Sequence, residues 1–118
     1  MKLTPKKFAD KMVAALEDIK ADNILMLDVR KLTSITDYMI IGSGRSNRQV
    51  RAIADKVIEE AEKLGLKPLG TEGYDGGEWV LVDLGDVVVH AMHPLTRAFC
   101  QLEKLWGDME ASQHATVG

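Results

Sequence analysis

His90 and His93, followed by the lone cysteine Cys100, are the side chains whose types could ligate zinc or build a nucleophile. Their surroundings argue for quieter roles. His90 falls inside an apolar run that reads as a strand, His93 precedes a proline that can start a helix, and no further ligand stands at a zinc-site spacing. Cys100 has Phe99 and Leu102 beside it at helical spacing and reads as a small hydrophobe. Two-metal nucleotidyl transfer needs carboxylates that converge on cations about 4 Å apart, commonly an i, i+2 pair on one strand face. Asp83 and Asp86 are three apart, one on a strand and one in a turn, and Asp28 is isolated. "GSGRSNRQ" (42–49) sets glycines and a helix start after a strand, where free amides and Arg45 can hold an anion. It lacks the spacing of a phosphate-binding loop or a dinucleotide fingerprint, so turn chemistry is the larger reading. Arg45, Arg48 and Arg51 recur every three residues; a solvated helix face is the commoner explanation, and contact with RNA phosphates is the alternative. None of these patterns implies a cofactor.

The unusual stretch is "WVLVDLGDVVVHAMHP" (79–94), two short apolar strands joined at Gly85 and Asp86. With that turn, alternation sorts the side chains into two faces. Val80, Val82, Leu84, Val87, Val89 and Ala91 form an aliphatic face suited to packing under helices. Trp79, Leu81, Asp83, Val88, His90 and Met92 form the other. This second set mixes an aromatic, a thioether and aliphatics with two polar groups, which resembles a protein interface more than a core. A covering helix is the competing explanation, but only three helices are available to clothe the whole sheet.

The other elements follow from caps and periodicity. Thr4 and Pro5 open a helix near 5–20 whose Phe8, Met12, Ala15, Leu16 and Ile19 share one face. The apolar runs 23–29 and 37–43 read as antiparallel neighbouring strands. "SNRQ" (46–49) has capping-box form, with Gln49 expected to reach back to the Ser46 amide. The helix it opens stops at Gly65. "KPLGTEGY" makes an irregular edge strand, because Pro68 removes a donor. Pro94 opens a last helix with Leu95, Ala98, Phe99, Leu102, Leu105 and Trp106 as its stripe and Gly107 as its stop. The order predicts an α/β fold of α+β type. It is one domain over 1–107 with a mixed sheet of about five strands, the second and third parallel through a right-handed crossover, and a flexible tail at 108–118.

The 118 residues suffice for one core, and 46% hydrophobic with 28% charged residues is ordinary globular composition. No run approaches the roughly 20 apolar residues of a membrane span, and the N-terminus does not read as an export signal, so a cytoplasmic address is expected. A net charge of −3 argues against binding that rests chiefly on nucleic-acid phosphates. Residues 66–93 hold Glu72, Asp75, Glu78, Asp83 and Asp86 against Lys67 alone, which suits a basic protein surface.

"SITDYMIIGSGRSNRQVRAIADKV" and "GLKPLGTEGYDGGEWVLVDLGDVVVHAMHPLTRAFCQLEKLW" resemble the Iojap family of ribosomal silencing factors, RsfS in bacteria. The specific signatures are "ITDYMII", "EG" followed by "W", "DLGDVVVH", and "R", "LE" and "LW" in the last helix; the resemblance covers roughly 8–107. It implies a nucleotidyltransferase-like fold without the active site, and binding in place of a reaction. It also implies a partner, the large ribosomal subunit, held through its ribosomal protein number fourteen so that the small subunit cannot join when nutrients are scarce. On that resemblance Trp79, Asp83, His90 and Met92 are the expected contact residues, and alternation adds Leu81 and Val88 on the same face. Glu72 is expected in the acidic loop, Asp37 and Tyr38 in "ITDY", and a minor ribosomal RNA contact at Arg48 and Arg51. Cys100 departs from the family, which often has an aromatic there; this bears on local packing and leaves the partner unchanged. A homodimer of the free protein is a further reading of the apolar face.

The rival reading, a nucleotide-binding or nucleotidyltransferase-like enzyme, requires saturable nucleotide binding near Ser43 and Arg45. Calorimetric titration with ATP and GTP is expected to stay flat; a saturating isotherm would restore the enzyme reading.

Overall fold

The structure is a computed structural model and describes residues 3–100 and 116–117. Helix α1 (Pro5–Asp18) starts where the Thr4 side chain accepts the Lys7 amide at 3.2 Å, with Pro5 at its first position. It ends in a Schellman pattern: the Lys20 amide donates to Glu17 O at 3.0 Å and the Ala21 amide to Leu16 O at 2.9 Å, with Lys20 at φ 61°. Strand β1 (Asp22–Asp28) leaves that turn through an irregularity at Asn23 and pairs antiparallel with β2 (Tyr38–Ser43), Leu25 facing Ile41 and Leu27 facing Met39.

Helix α2 (Asn47–Lys63) is capped by Ser46, whose Oγ accepts the Gln49 amide at 3.1 Å. The reciprocal bond differs from expectation: Gln49 Oε1 accepts the Arg45 amide at 2.7 Å, one residue before the cap, because that amide is the donor turned toward the helix. Gly65, at φ 83°, ends α2, its amide donating to Glu62 O and that of Leu66 to Ala61 O.

Strands β3 (Gly70–Glu72), β4 (Trp79–Asp83) and β5 (Val87–Met92), the short helix α3 (Pro94–Cys100) and the two-residue strand β6 (Thr116–Val117) complete the described chain. The sheet order is β3-β4-β5-β2-β1-β6. The parallel neighbour of β2 is β5. The reason lies in burial: β5 is almost wholly buried and suits the centre, while all three residues of β3 are exposed and suit an edge. Running antiparallel to β4, β3 still points the same way as β2.

Helices α1 and α2 both pack on one face of the sheet. There Met12, Leu16, Val50, Ile53 and Val57 meet Ile40 and the aliphatic face of the hairpin in the main core. Gly42 lets α1 approach: a Cβ there would stand 2.5 Å from Leu16 Cδ2. A smaller cluster of Leu27, Val29, Met39, Ile41 and Met92 lies on the opposite face. Among the described residues no helix is long and apolar enough to cross a membrane. The expected stripe residues Leu102, Leu105 and Trp106, the stop Gly107, and the tail apart from β6 lie outside the described residues.

The two left-handed helix ends give opposite expectations. Lys20→Gly should raise stability by about 1 kcal/mol by relieving a side chain held at positive φ, and Gly65→Ala should lower it by about the same. Urea midpoints at neutral pH check both; equal midpoints would show that neither backbone is held there.

Candidate protein-docking face

The hairpin has the anticipated register: Trp79 faces Met92, Leu81 faces His90 and Asp83 faces Val88. The turn closes with the Leu84 amide donating to Val87 O at 2.9 Å, and Gly85 takes φ 88° at the first central position, where only glycine is at ease. Asp83 Oδ1 accepts the Gly85 amide at 2.9 Å, so this carboxylate also fixes the turn. Val80, Val82, Leu84, Val87, Val89 and Ala91 are all buried beneath the helices.

The second face grades from open to closed. At its β3–β4 margin Glu72 is exposed, Trp79 is 36% exposed, and Leu81 and Asp83 are half-buried, as is Val88 at the near end of β5. Toward the sheet centre His90 is 5% exposed and Met92 0%. The expectation of a uniformly bare face is therefore corrected. Met92 sits in the smaller cluster with Met39 and Ile41, and its side chain does not reach solvent. Tyr38 is also corrected: at 4% exposure it belongs to the main core, because alternation along β2 aims it with Ile40 toward the helices. The Arg30 guanidinium lies 5.4 Å from its ring centroid. Asp37 contributes backbone, its amide donating to Asp86 O at 2.9 Å and its carbonyl accepting the Val29 amide at 3.0 Å.

Trp79 is held in place. Its Nε1 donates to His90 Nδ1 at 2.9 Å, with ring centroids 5.9 Å apart and planes tilted by 45°. That bond requires an unprotonated Nδ1, and burial pushes the His90 pKa down to about 4, so the ring is neutral at physiological pH. The indole is thus a rigid anchor, part buried and part presented.

Between β3 and β4 the chain crosses the start of α2, where sequence reasoning missed Asn47, Asp55 and Tyr74 and gave Arg51 another role. Asn47 Nδ2 donates to Gly76 O at 3.2 Å, Arg51 Nη1 to Asp75 O at 3.3 Å, and Tyr74 Oη to Asp55 Oδ2 at 3.0 Å. That last bond raises the Tyr74 pKa, since the phenol is a donor to a carboxylate. Asn47, Arg51 and Asp55 stand at i, i+4 and i+8, a polar stripe legible in the sequence but passed over for the three-residue spacing of the arginines. Of the expected RNA contacts, Arg48 is exposed and Arg51 is engaged with this loop.

The residues considered for chemistry are dispersed. Arg45 pairs with Asp22 at 3.1 Å, and His93 Nδ1 accepts the Leu95 amide at 3.3 Å as the cap of α3. Among the described residues no three His, Cys, Asp or Glu side chains gather as a metal site.

The site is a half-open acidic sheet margin with one fixed tryptophan, and comparison with known proteins gives the family. The family model described as "Ribosomal silencing factor during starvation" matches residues 2–117. The chain belongs to the ribosomal silencing factor (RsfS) family. The RsfS protein of Chromobacterium violaceum is 49% identical over 100 residues, covering 85% of this chain and 82% of the relative. A crystal structure of a protein from that organism superposes with a TM-score of 0.87 at 46% identity, covering 89% of this chain and 88% of the other. The relatives include the chloroplast protein Iojap of Zea mays, 39% identical over 101 residues, 86% of this chain and 44% of that longer protein.

Burial of neutral His90 makes the RsfS fold acid-sensitive at this point. Its folded pKa of about 4 lies below the unfolded value of 6.5, so the unfolded chain binds the proton first. Stability from this group is fully present above pH 6.5 and declines as pH falls to 4, by about 3 kcal/mol in all. His90→Gln should flatten that decline in urea midpoints measured between those limits. An unchanged acid limb would show that the imidazole is not held neutral.

Proposed function

We propose that this chain is a ribosomal silencing factor that acts by occupancy in the cytoplasm. Its second sheet face covers ribosomal protein number fourteen on the large subunit, and the small subunit cannot join while it is there. No turnover is required. The observation that carries this reading is Trp79: its hydrogen bond to buried His90 fixes the ring before any partner arrives, while 36% of its surface stays open at an acidic margin. A preformed aromatic anchor loses little conformational entropy on docking, which is how a hot-spot residue contributes most. Leu81 and Val88 extend the apolar area around it, and Glu72 and Asp83 offer charge complementary to a basic protein. Ribosomal RNA contact is a minor addition through Arg48.

Co-sedimentation with purified large subunits tests the reading. Trp79→Ala is expected to weaken binding by about thirtyfold or more while the circular dichroism spectrum is retained. Leu81→Lys, a half-buried position that tolerates a long side chain, should weaken it through like-charge repulsion. Wild-type retention by two folded variants would remove this face from the mechanism.

A further inference from the structure

The reading above leaves the loop between β3 and β4 as a connection, yet its geometry is over-determined for that role. Four contacts hold its backbone: Asn47 to Gly76, Arg51 to Asp75, Gly77 N to Gly73 O at 3.1 Å, and His93 N to Glu78 O at 2.8 Å. The Tyr74 hydroxyl adds a fifth on Asp55. Two glycines at positive φ let the loop close this tightly. A Cβ on Gly77 would stand 2.5 Å from Arg51 Nη1 and 2.9 Å from Asn47 Cβ, and one on Gly73 would collide with the Trp79 carbonyl.

Every contact made by Arg51 and Asn47 ends on a loop carbonyl, so the acidic side chains Asp75 and Glu78 are not consumed in holding the loop. The ion pairs among the described residues draw on Asp10, Asp18, Asp22, Asp28, Glu59 and Glu60, none of them on this loop or on β3. Asp75, Glu78 and neighbouring Glu72 are exposed and lie in the chain segment that leads directly into Trp79.

We propose that Asn47, Arg51 and Tyr74 are positioning residues: a latch between α2 and the acidic loop that fixes the loop in one geometry and presents its carboxylates, pre-ordered, to a basic protein partner. The inference rests on the docking reading and assigns Arg51 to the loop instead of to RNA. A latched loop keeps its entropy loss out of the binding step, and its charges add without rearrangement.

The test measures affinity of the full chain for purified ribosomal protein number fourteen, free of RNA, across a salt series. Asn47→Ala, Tyr74→Phe and Arg51→Ala should each weaken binding several-fold at low salt, and the double variant Asn47→Ala/Arg51→Ala about tenfold. The variants should converge on wild type as salt screens the carboxylates, which a general loss of structure would not produce. Arg51→Lys, which keeps a donor, should recover most of the affinity. Faster amide exchange at Gly77 and His93 in the latch variants reads the loop directly, without a partner. Loss confined to Arg51→Ala, with the other two like wild type, would overturn the latch in favour of direct contact by the arginine. Unchanged affinity in all three would overturn it outright. Failure of the wild-type chain to bind, with exchange still accelerated in the variants, would instead sink the docking reading and leave the loop geometry standing.

Discussion

Each residue of β5 from Val87 to Met92 is paired with β2 on one edge, and Val88 to Met92 are paired with β4 on the other. The strand is buried almost throughout, so its side chains must be apolar or partnered on both faces. On one face Val87, Val89 and Ala91 satisfy this under α1 and α2. On the other, Met92 joins Met39 and Ile41, and His90 is accommodated by accepting the Trp79 indole proton. That single hydrogen bond converts a buried polar group, which would otherwise cost stability, into the mount for an exposed aromatic. The docking margin therefore depends on the sheet centre.

In the proposed reading the two faces divide the labour between folding and recognition. Both long helices lie on the first face, so the hydrophobic driving force of folding is concentrated there. Moving outward from β5 to β4 and β3, burial on the second face decreases while acidic side chains become more frequent. Such a gradient gives an apolar centre beside a charged rim, the usual anatomy of a protein interface. Among the described residues both histidines are committed, one to the Trp79 bond and one to the α3 cap.

Membership in the RsfS family and the local geometry are separate findings. The family match concerns the whole chain, whereas the Trp79–His90 pair and the loop contacts are particular positions with measurable distances. One strand pair stabilises the core with one face and, in the proposed reading, supplies the docking anchor with the other.

Local physics explains what could be read from the chain alone. Helix caps at Thr4 and Ser46, the stop at Gly65 and the hairpin register around Gly85 depend on residues within a few positions of one another, so sequence carries them. Alternation likewise determined which hairpin residues share a face. What it could not determine was how far each side of the sheet is covered, because that depends on strand order. Placing β5 beside β2, with β3 sent to the edge, is what buries Met92 and Tyr38 and leaves Trp79 partly open. The α2 stripe of Asn47, Arg51 and Asp55 was visible as a spacing, but its partners stand 19 to 29 residues away. Only the folded chain, where a glycine-rich loop is brought against the start of a helix, decides that these polar groups hold the loop instead of facing water.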